Sequence, residues 1–577
     1  MWMTFWRNAR VRVLALYVVL TALFFWPLIA HPFRMIPDDY DGLFITYTMN
    51  WVGQSLTHQP RNIFQEPLFA PYPLVLTFSD PFVTAAVIGE PFFLLTHQPI
   101  IFFTVNFLIA AVTTAFFCFL LVDELTQNSR LSFLAGAVCS FSVTHLHYLG
   151  HLHVFMMQFI PLGLWAWVKY TRERHDAFLL LFVLSFVAQT LNSPFAGYLF
   201  LLCCGMFLFD EKTWQTLRQS WKKVGVLFCI FGILPVGALY LPYFASANLY
   251  HSYRSIREAA HFSLSVNELI ASNRVSTALL VVGLFSAYHA RKKWLHVKKH
   301  LIKNRLLTGC LCVCFVSVFL TLGPVLKWRD ETVKIFHNIP IPLPYSVLYV
   351  VIPGFKAFRT PSRWIVATLM SVVVGLSLYW HEYWRKNILP KWVVILILLA
   401  MWIEAQQFLV FYAVPSLQEY PSAYLWLNRQ QATSVVHLPT YVYDMPDGKI
   451  EAYRMLYSLA TGGEETVAYP SANQTRSAPF RLTMYNGYSG FTPQERLDEM
   501  NFLHDHPLSN EAQARLRAQQ IALSVFHLDE LSANDRILAR ELTPRALYVD
   551  TNTLVLRTAN WQPICLKKKG ESTTGER

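Results

Sequence analysis

Residues 10–51 read RVRVLALYVVLTALFFWPLIAHPFRMIPDDYDGLFITYTMNW. Arg7, Arg10 and Arg12 precede an apolar run from about Val13 to Ala30, and three carboxylates (Asp38, Asp39 and Asp41) follow it. A run of about 20 apolar residues is what a bilayer core of about 30 Å demands of a helix. No small-residue cleavage site follows FFWPLIAHPF, so the run reads as a retained signal anchor with its N-terminus in the cytoplasm. Past the acids, GLFITYTMNWVGQSL is amphipathic and is expected to lie along the membrane surface, fixing the position of Asp41.

The rest of the chain extends the pattern. Of 577 residues, 54% are hydrophobic and only 15% charged, with mean hydropathy +0.33. A soluble protein of that length needs more polar surface. The net charge of +12 sits mostly in short loops between apolar runs. That distribution is the positive-inside pattern of a membrane protein and argues against nucleic acid as a partner. Eight of the nine cysteines fall inside apolar runs, all but Cys565, which excludes a disulfide framework or a CxxC metal site.

Further spans are expected to begin near Ile100, Leu131, Leu152, Ala177, Phe195, Val224, Thr277, Leu306, Trp364 and Trp392. Basic clusters orient them: Lys169, Arg172 and Arg174; Lys212, Arg218, Lys222 and Lys223; RKKWLHVKKHLIKNR at 291–305; and Arg385, Lys386 and Lys391. PFVTAAVIGEPFFLLT, 81–96, is short and carries Glu90 and Pro91. A full crossing there would move every later basic loop to the outer side, so it is expected to re-enter or lie at the interface, as is PYSVLYVVIPGF at 344–355. About eleven transmembrane helices result, in a domain over 1–412 whose first outer loop spans 31–99.

From Pro415 the composition changes. SVVHLP and IALSVFHL read as buried strands, PQERLDEMNFLHD as a helix capped by Thr492, and RALYVDTNTLVLRT as a hairpin turning near Asp550–Asn552. A small extracytoplasmic α/β or α+β domain is expected over 413–565, with a disordered tail at 566–577.

This topology gathers the polar residues at one interface. Asp38, Asp39, Asp41, Glu66 and Asp80 lie in the first outer loop, and THLHYLGHLH supplies His145, His147, His151 and His153. YHSYRSIREAAHFSLS supplies Arg254, Arg257, Glu258 and His261; PGFKAFRTPSRW supplies Lys356, Arg359 and Arg363. Acid, imidazole and guanidinium together suit proton transfer beside an anionic substrate. Pro353, Gly354 and Pro361 break the backbone around the arginines, and irregular backbone at membrane depth lines cavities. An arginine fork matches phosphate oxygens better than a lysine does.

DYDGLFITYTMNWV, GHLHVFMMQFIPLGLW, YRSIREAAHFSLS, FRTPSRW and YNGYSGFTPQERL, in this order, resemble segments of bacterial GT-C glycosyltransferases, which take sugars from lipid-phosphate carriers. The resemblance implies a polytopic helical fold in the bacterial inner membrane, with a polyprenyl-phosphate sugar donor and an envelope glycan, lipid or protein acceptor. It places the first-loop acid on Asp41, singles out His151 as a second catalytic residue, and leaves Arg254, Arg257, Glu258, Lys356, Arg359 and Arg363 to bind substrate. No WWDYG-like motif occurs and no second DxD pair is clear, so no metal ligand is assigned, although a divalent metal stays open. The rival readings are a transporter or flippase of a lipid-linked or anionic substrate and a non-catalytic envelope-assembly protein. Midspan segments nearly free of charge argue against the transporter.

Overall fold

The computed structural model describes residues 9–271, 283, 286, 288, 304–336, 338–383, 390–430, 433–442, 445, 447–459 and 482–561. The chain is an α-helical polytopic membrane protein with a small α/β unit. Its contacts divide it into one unit of 1–53 and 80–414 and another of 54–79 and 415–577. The first-loop segment 54–79 thus groups with the C-terminal part of the chain, a partition that the sequence boundaries did not contain.

In the first unit the main helices are α1 (Ala9–Phe24), α2 (Asp41–His58), α3 (Val83–Thr96), α4 (Ile101–Thr126), α5 (Ser129–Phe141), α6 (Phe159–Glu173), α7 (Asp176–Asn192) and α8 (Pro194–Cys204). They continue as α9 (Glu211–Phe228) and α10 (Leu234–Tyr250), joined by one π-helical turn at Cys229–Ile233, and then α11 (Arg305–Thr321), α12 (Pro344–Val351), α13 (Ile365–Tyr383) and α14 (Lys391–Ala405). By length and composition three described helices can cross a membrane: Ile101–Thr126, Glu211–Tyr250 and Pro361–His381. The span expected near Thr277 lies largely outside the described residues.

Polar caps start several helices. Asn128, Asp210 and Asn304 each accept a backbone N–H of the first turn, at α5, α9 and α11. Small residues let the helices close up. A Cβ on Gly136 of α5 would lie 2.3 Å from both the Ala115 carbonyl and the Tyr17 hydroxyl, so α1, α4 and α5 meet there at backbone distance.

Long-range contacts sort the helix ends into two groups. At one end, Arg172 closing α6 pairs with Glu124 closing α4 at 2.6 Å, and Lys223 of α9 pairs with Asp176 opening α7 at 2.8 Å. At the other, Thr104 opening α4 bonds to the Pro32 carbonyl (2.8 Å), and the Phe82 N–H before α3 bonds to Asn192 closing α7 (3.3 Å). Phe195 of α8 packs edge-on against Trp364 at 5.1 Å, and Leu264 bonds to Thr321 closing α11. The basic segments at 169–174, closing α6, and 218–223, within α9, and the acidic first loop therefore occupy opposite ends of the helix set.

Three local expectations change. The segment at 81–96 is a continuous helix through Glu90 and Pro91, antiparallel to the first turns of α4, with the Asn106 amide bonded to Ala85 (2.8 Å). The helix expected from Leu152 begins at Phe159, because Ser142–Gln158 runs as short turns. Helix α2 is buried from Gly42 to Gly53 rather than lying half-exposed, with Gly53 pressed against Glu90.

The second unit holds a five-stranded mixed sheet of β1 (Thr433–Leu438), β2 (Leu482–Met484), β3 (Leu523–His527), β4 (Tyr548–Val549) and β5 (Thr553–Arg557), in the order β4-β5-β3-β1-β2. β1 runs parallel to both β2 and β3; β5 returns antiparallel. Residues 67–70 cover the β2 edge through Met484 N–H to Pro67 O and Ala70 N–H to Met484 O, which removes an unpaired edge. Helix α15 (Lys449–Ser458) precedes β2 in sequence. Pro493, not Thr492, caps the helix that follows it, and no side-chain cap bond is present.

Candidate active site

Asp38, Asp41, Asp80, His151, His153, Arg359 and Arg363 meet at the acidic end of the first unit. Asp38 starts the construction: its Oδ1 accepts the Tyr40 N–H at 2.8 Å and the Gly42 N–H at 3.4 Å, which caps α2. Asp41 then sits on the first turn of α2, where the helix dipole favours a carboxylate.

The histidine segment is folded by His145. Its Nδ1 lies 2.8 Å from the Ser140 carbonyl and its Nε2 2.9 Å from the Phe155 carbonyl, while its ring stacks on Phe155 at 4.3 Å. Gly150 lets the turn approach Asp38; a Cβ there would lie 2.6 Å from Asp38 Oδ2. Gln189 of α7 holds the far side by donating to the Met156 carbonyl at 2.8 Å.

Two imidazole–carboxylate pairs result. His151 Nε2 is 3.3 Å from Asp41 Oδ2, and His153 Nε2 is 3.7 Å from Asp80 Oδ2; the two rings are 6.0 Å apart. The first pair is the open one, with side-chain exposures of 35% and 25%; His153 keeps 6% and packs edge-on against Phe82.

Electrostatics tie the pairs to the arginines. Desolvation and, after it, the Arg363 guanidinium push His151 down to about 3, although Asp38 pulls the other way. The ring is neutral at physiological pH even though its edge is open. Burial and Arg363 also hold His153 well below the usual imidazole range. Burial raises Asp80, with Arg363 and Arg359 opposing. Arg363 feels Asp80, Arg359, Tyr148 and Asp41. Its loop is anchored by the Tyr148 hydroxyl, which donates to the Ser362 carbonyl at 3.0 Å.

The other expected residues fall nearby or apart. Arg254 pairs with Glu258 at 3.2 Å, and its N–H bonds to the Lys356 carbonyl at 2.9 Å; burial lowers its pKa, with Glu258 opposing and Arg359 adding to the lowering. Arg359 lies over the Phe262 ring at 5.4 Å. Arg257 and the Lys356 side chain are exposed. Asp80 and His153 carry no role of their own in the sequence reading. Their signal was weak, an acid before Pro81 and a fourth histidine two residues after His151. Among the described residues no group of three or more His, Cys, Asp or Glu side chains is placed to hold a metal ion.

No protein-family model and no curated protein matches the chain. Similar solved structures include the arabinofuranosyltransferase AftD from Mycobacteria, 14% identical, with TM-score 0.48 over 90% of this chain and 35% of that one. The chain thus spans about a third of that protein's length. The archaeal oligosaccharyltransferase AglB from Archaeoglobus fulgidus, in complex with an inhibitory peptide and a dolichol-phosphate, is 13% identical, with TM-score 0.39 over 91% of this chain and 70% of that one. ArnT from Cupriavidus metallidurans, bound to undecaprenyl phosphate, is 9% identical, with TM-score 0.42 over 94% of this chain and 97% of that one.

Proposed function

We propose that the chain transfers a sugar from a polyprenyl-phosphate-linked donor to an acceptor hydroxyl at the extracytoplasmic face of a bacterial inner membrane. The carrying observation is the Asp41–His151 contact, set in the field of Arg359 and Arg363 at one end of the helices. The basic segments at the opposite end support a cytoplasmic assignment for that end, which leaves the site outside.

The chemistry follows from the side chains. Arg359 and Arg363 hold the donor's phosphate and stabilise the charge that builds on it as the bond from the anomeric carbon to the phosphate oxygen breaks. The acceptor hydroxyl attacks that carbon from the opposite face, and its proton passes to Asp41. Neutral His151 donates Nε2–H to Asp41 Oδ2 and so orients the carboxylate. A single displacement inverts the anomeric centre. Arg254, held by Glu258, adds positive charge beside Arg359; Arg257 and Lys356 sit at the exposed rim.

The test is incubation of purified protein with a polyprenyl-phosphate sugar labelled in the sugar. Release of free carrier phosphate coupled to labelled acceptor supports the reading. Movement of intact donor across vesicles without bond cleavage would assign the protein to transport instead.

A further inference from the structure

The second unit carries a polar cluster that the transfer chemistry does not use. From β1 the chain builds β2 on one side and β3 on the other, both parallel to β1. A sheet whose connections diverge in this way opens a crevice at the carboxyl ends of its strands, where α/β proteins bind ligands. The residues at those ends are His437 of β1 and His527 of β3.

Their rings lie 5.3 Å apart in a near-parallel stack, with His437 Nδ1 3.1 Å from His527 Nε2. Tyr424 stacks beside both rings, 5.2 Å from His437 and 6.2 Å from His527. Beside them Arg454 of α15 donates to Glu451 at 2.8 Å and to Glu530 at 2.6 Å. Asn486 fixes the strand end by accepting the His437 N–H at 2.8 Å and donating to its carbonyl at 2.7 Å.

A network that served only to hold the core together would use up its polar atoms. Here His437 Nε2, Glu451 Oε2 and Arg454 Nε are buried and have no hydrogen-bond partner among the described residues. His437 has no exposed surface, while Glu530 keeps 19% and opens the cluster to water. The charge balance selects the ligand. Burial and Arg454 hold both histidines well below the usual range, and the one guanidinium is already bonded to Glu451 and Glu530, whose carboxyls burial raises, so an anion is disfavoured. The ring nitrogens face each other directly, leaving no room for a metal between them. What remains is an array of neutral donors and acceptors beside tyrosines; Tyr441 lies over Arg454 at 5.3 Å. Vicinal hydroxyls above an apolar ring face fit that array.

We propose that the carboxyl edge of β1 and β3, around His437, His527 and Glu530, binds an uncharged saccharide. The assignment concerns binding alone and does not depend on transfer at Asp41. Full-length protein in detergent is screened against an array of neutral di- and trisaccharides, with inorganic phosphate and Zn²⁺ as counter-probes, and the retained sugar is titrated calorimetrically. The expected result is saturable binding of a neutral sugar that weakens about tenfold or more in His527→Gln. Glu530→Gln, at the half-open rim, gives the same direction if the histidine variant does not fold. No retained neutral sugar, equal affinity in both variants, or binding of phosphate or zinc in its place would overturn the assignment.

Discussion

Replacing Asp41 by asparagine keeps the size of the side chain and its place on the first turn of α2 but removes the proton acceptor. Positioned acid–base help is worth about 10²–10⁴-fold, and each factor of ten corresponds to about 1.4 kcal/mol, so the transfer barrier should rise by roughly 3–5 kcal/mol. The loss should appear in kcat, because donor phosphate is held by the arginines. His151 acts through Asp41 at 3.3 Å, so the two side chains form a unit. Asp41→Asn combined with His151→Gln should therefore turn over within about threefold of Asp41→Asn alone. The assay is release of labelled carrier phosphate, with donor binding measured separately on each variant. An unchanged kcat in well-folded Asp41→Asn, or multiplicative losses in the double variant, would refute the dyad.

Acidity gives a second check. With His151 held at about 3, the rate should show no acid limb from this residue between about pH 5 and 8. Arg363→Gln removes one of the influences that lower it, so its pKa rises and a limb should move up toward neutrality; a profile identical to wild type would exclude that coupling. Arg359→Ala should raise KM for the donor about tenfold or more while the thermal midpoint stays near wild type, since the guanidinium lies over the Phe262 ring. Gly150→Ala should lower activity and cost about 1 kcal/mol of stability, because its Cβ would displace Asp38, which caps α2, and shift the neighbouring His151. Gly136→Ala should instead cost about 1–3 kcal/mol of stability through the α1–α4–α5 contact, as read by thermal unfolding in detergent.

Much of the helical layout could be read in the sequence, because apolar run length and loop charge obey strong constraints. The strands around His437 and His527 and the hairpin at 548–557 were legible for a similar reason, since buried strands and Asp-Asn turns have local signatures. What escaped was tertiary. Asp80 and His153 become neighbours only when α3 docks on α7 through Phe82 and Asn192. Nothing local indicates that 54–79 joins the C-terminal unit, because its bonds go to Met484 and Asn486, over 400 residues away. The Asn486 amide likewise clamps the end of β1 through His437, 49 residues away in sequence.

A polyprenyl phosphate carrying a photoreactive group next to its phosphate tests the central claim most directly. Irradiated with the full-length protein and mapped by peptide mass spectrometry, it should mark the segment around Arg359–Arg363 and the Arg254 turn. Crosslinks confined to the basic segments at 169–174 and 218–223 would contradict the proposed site.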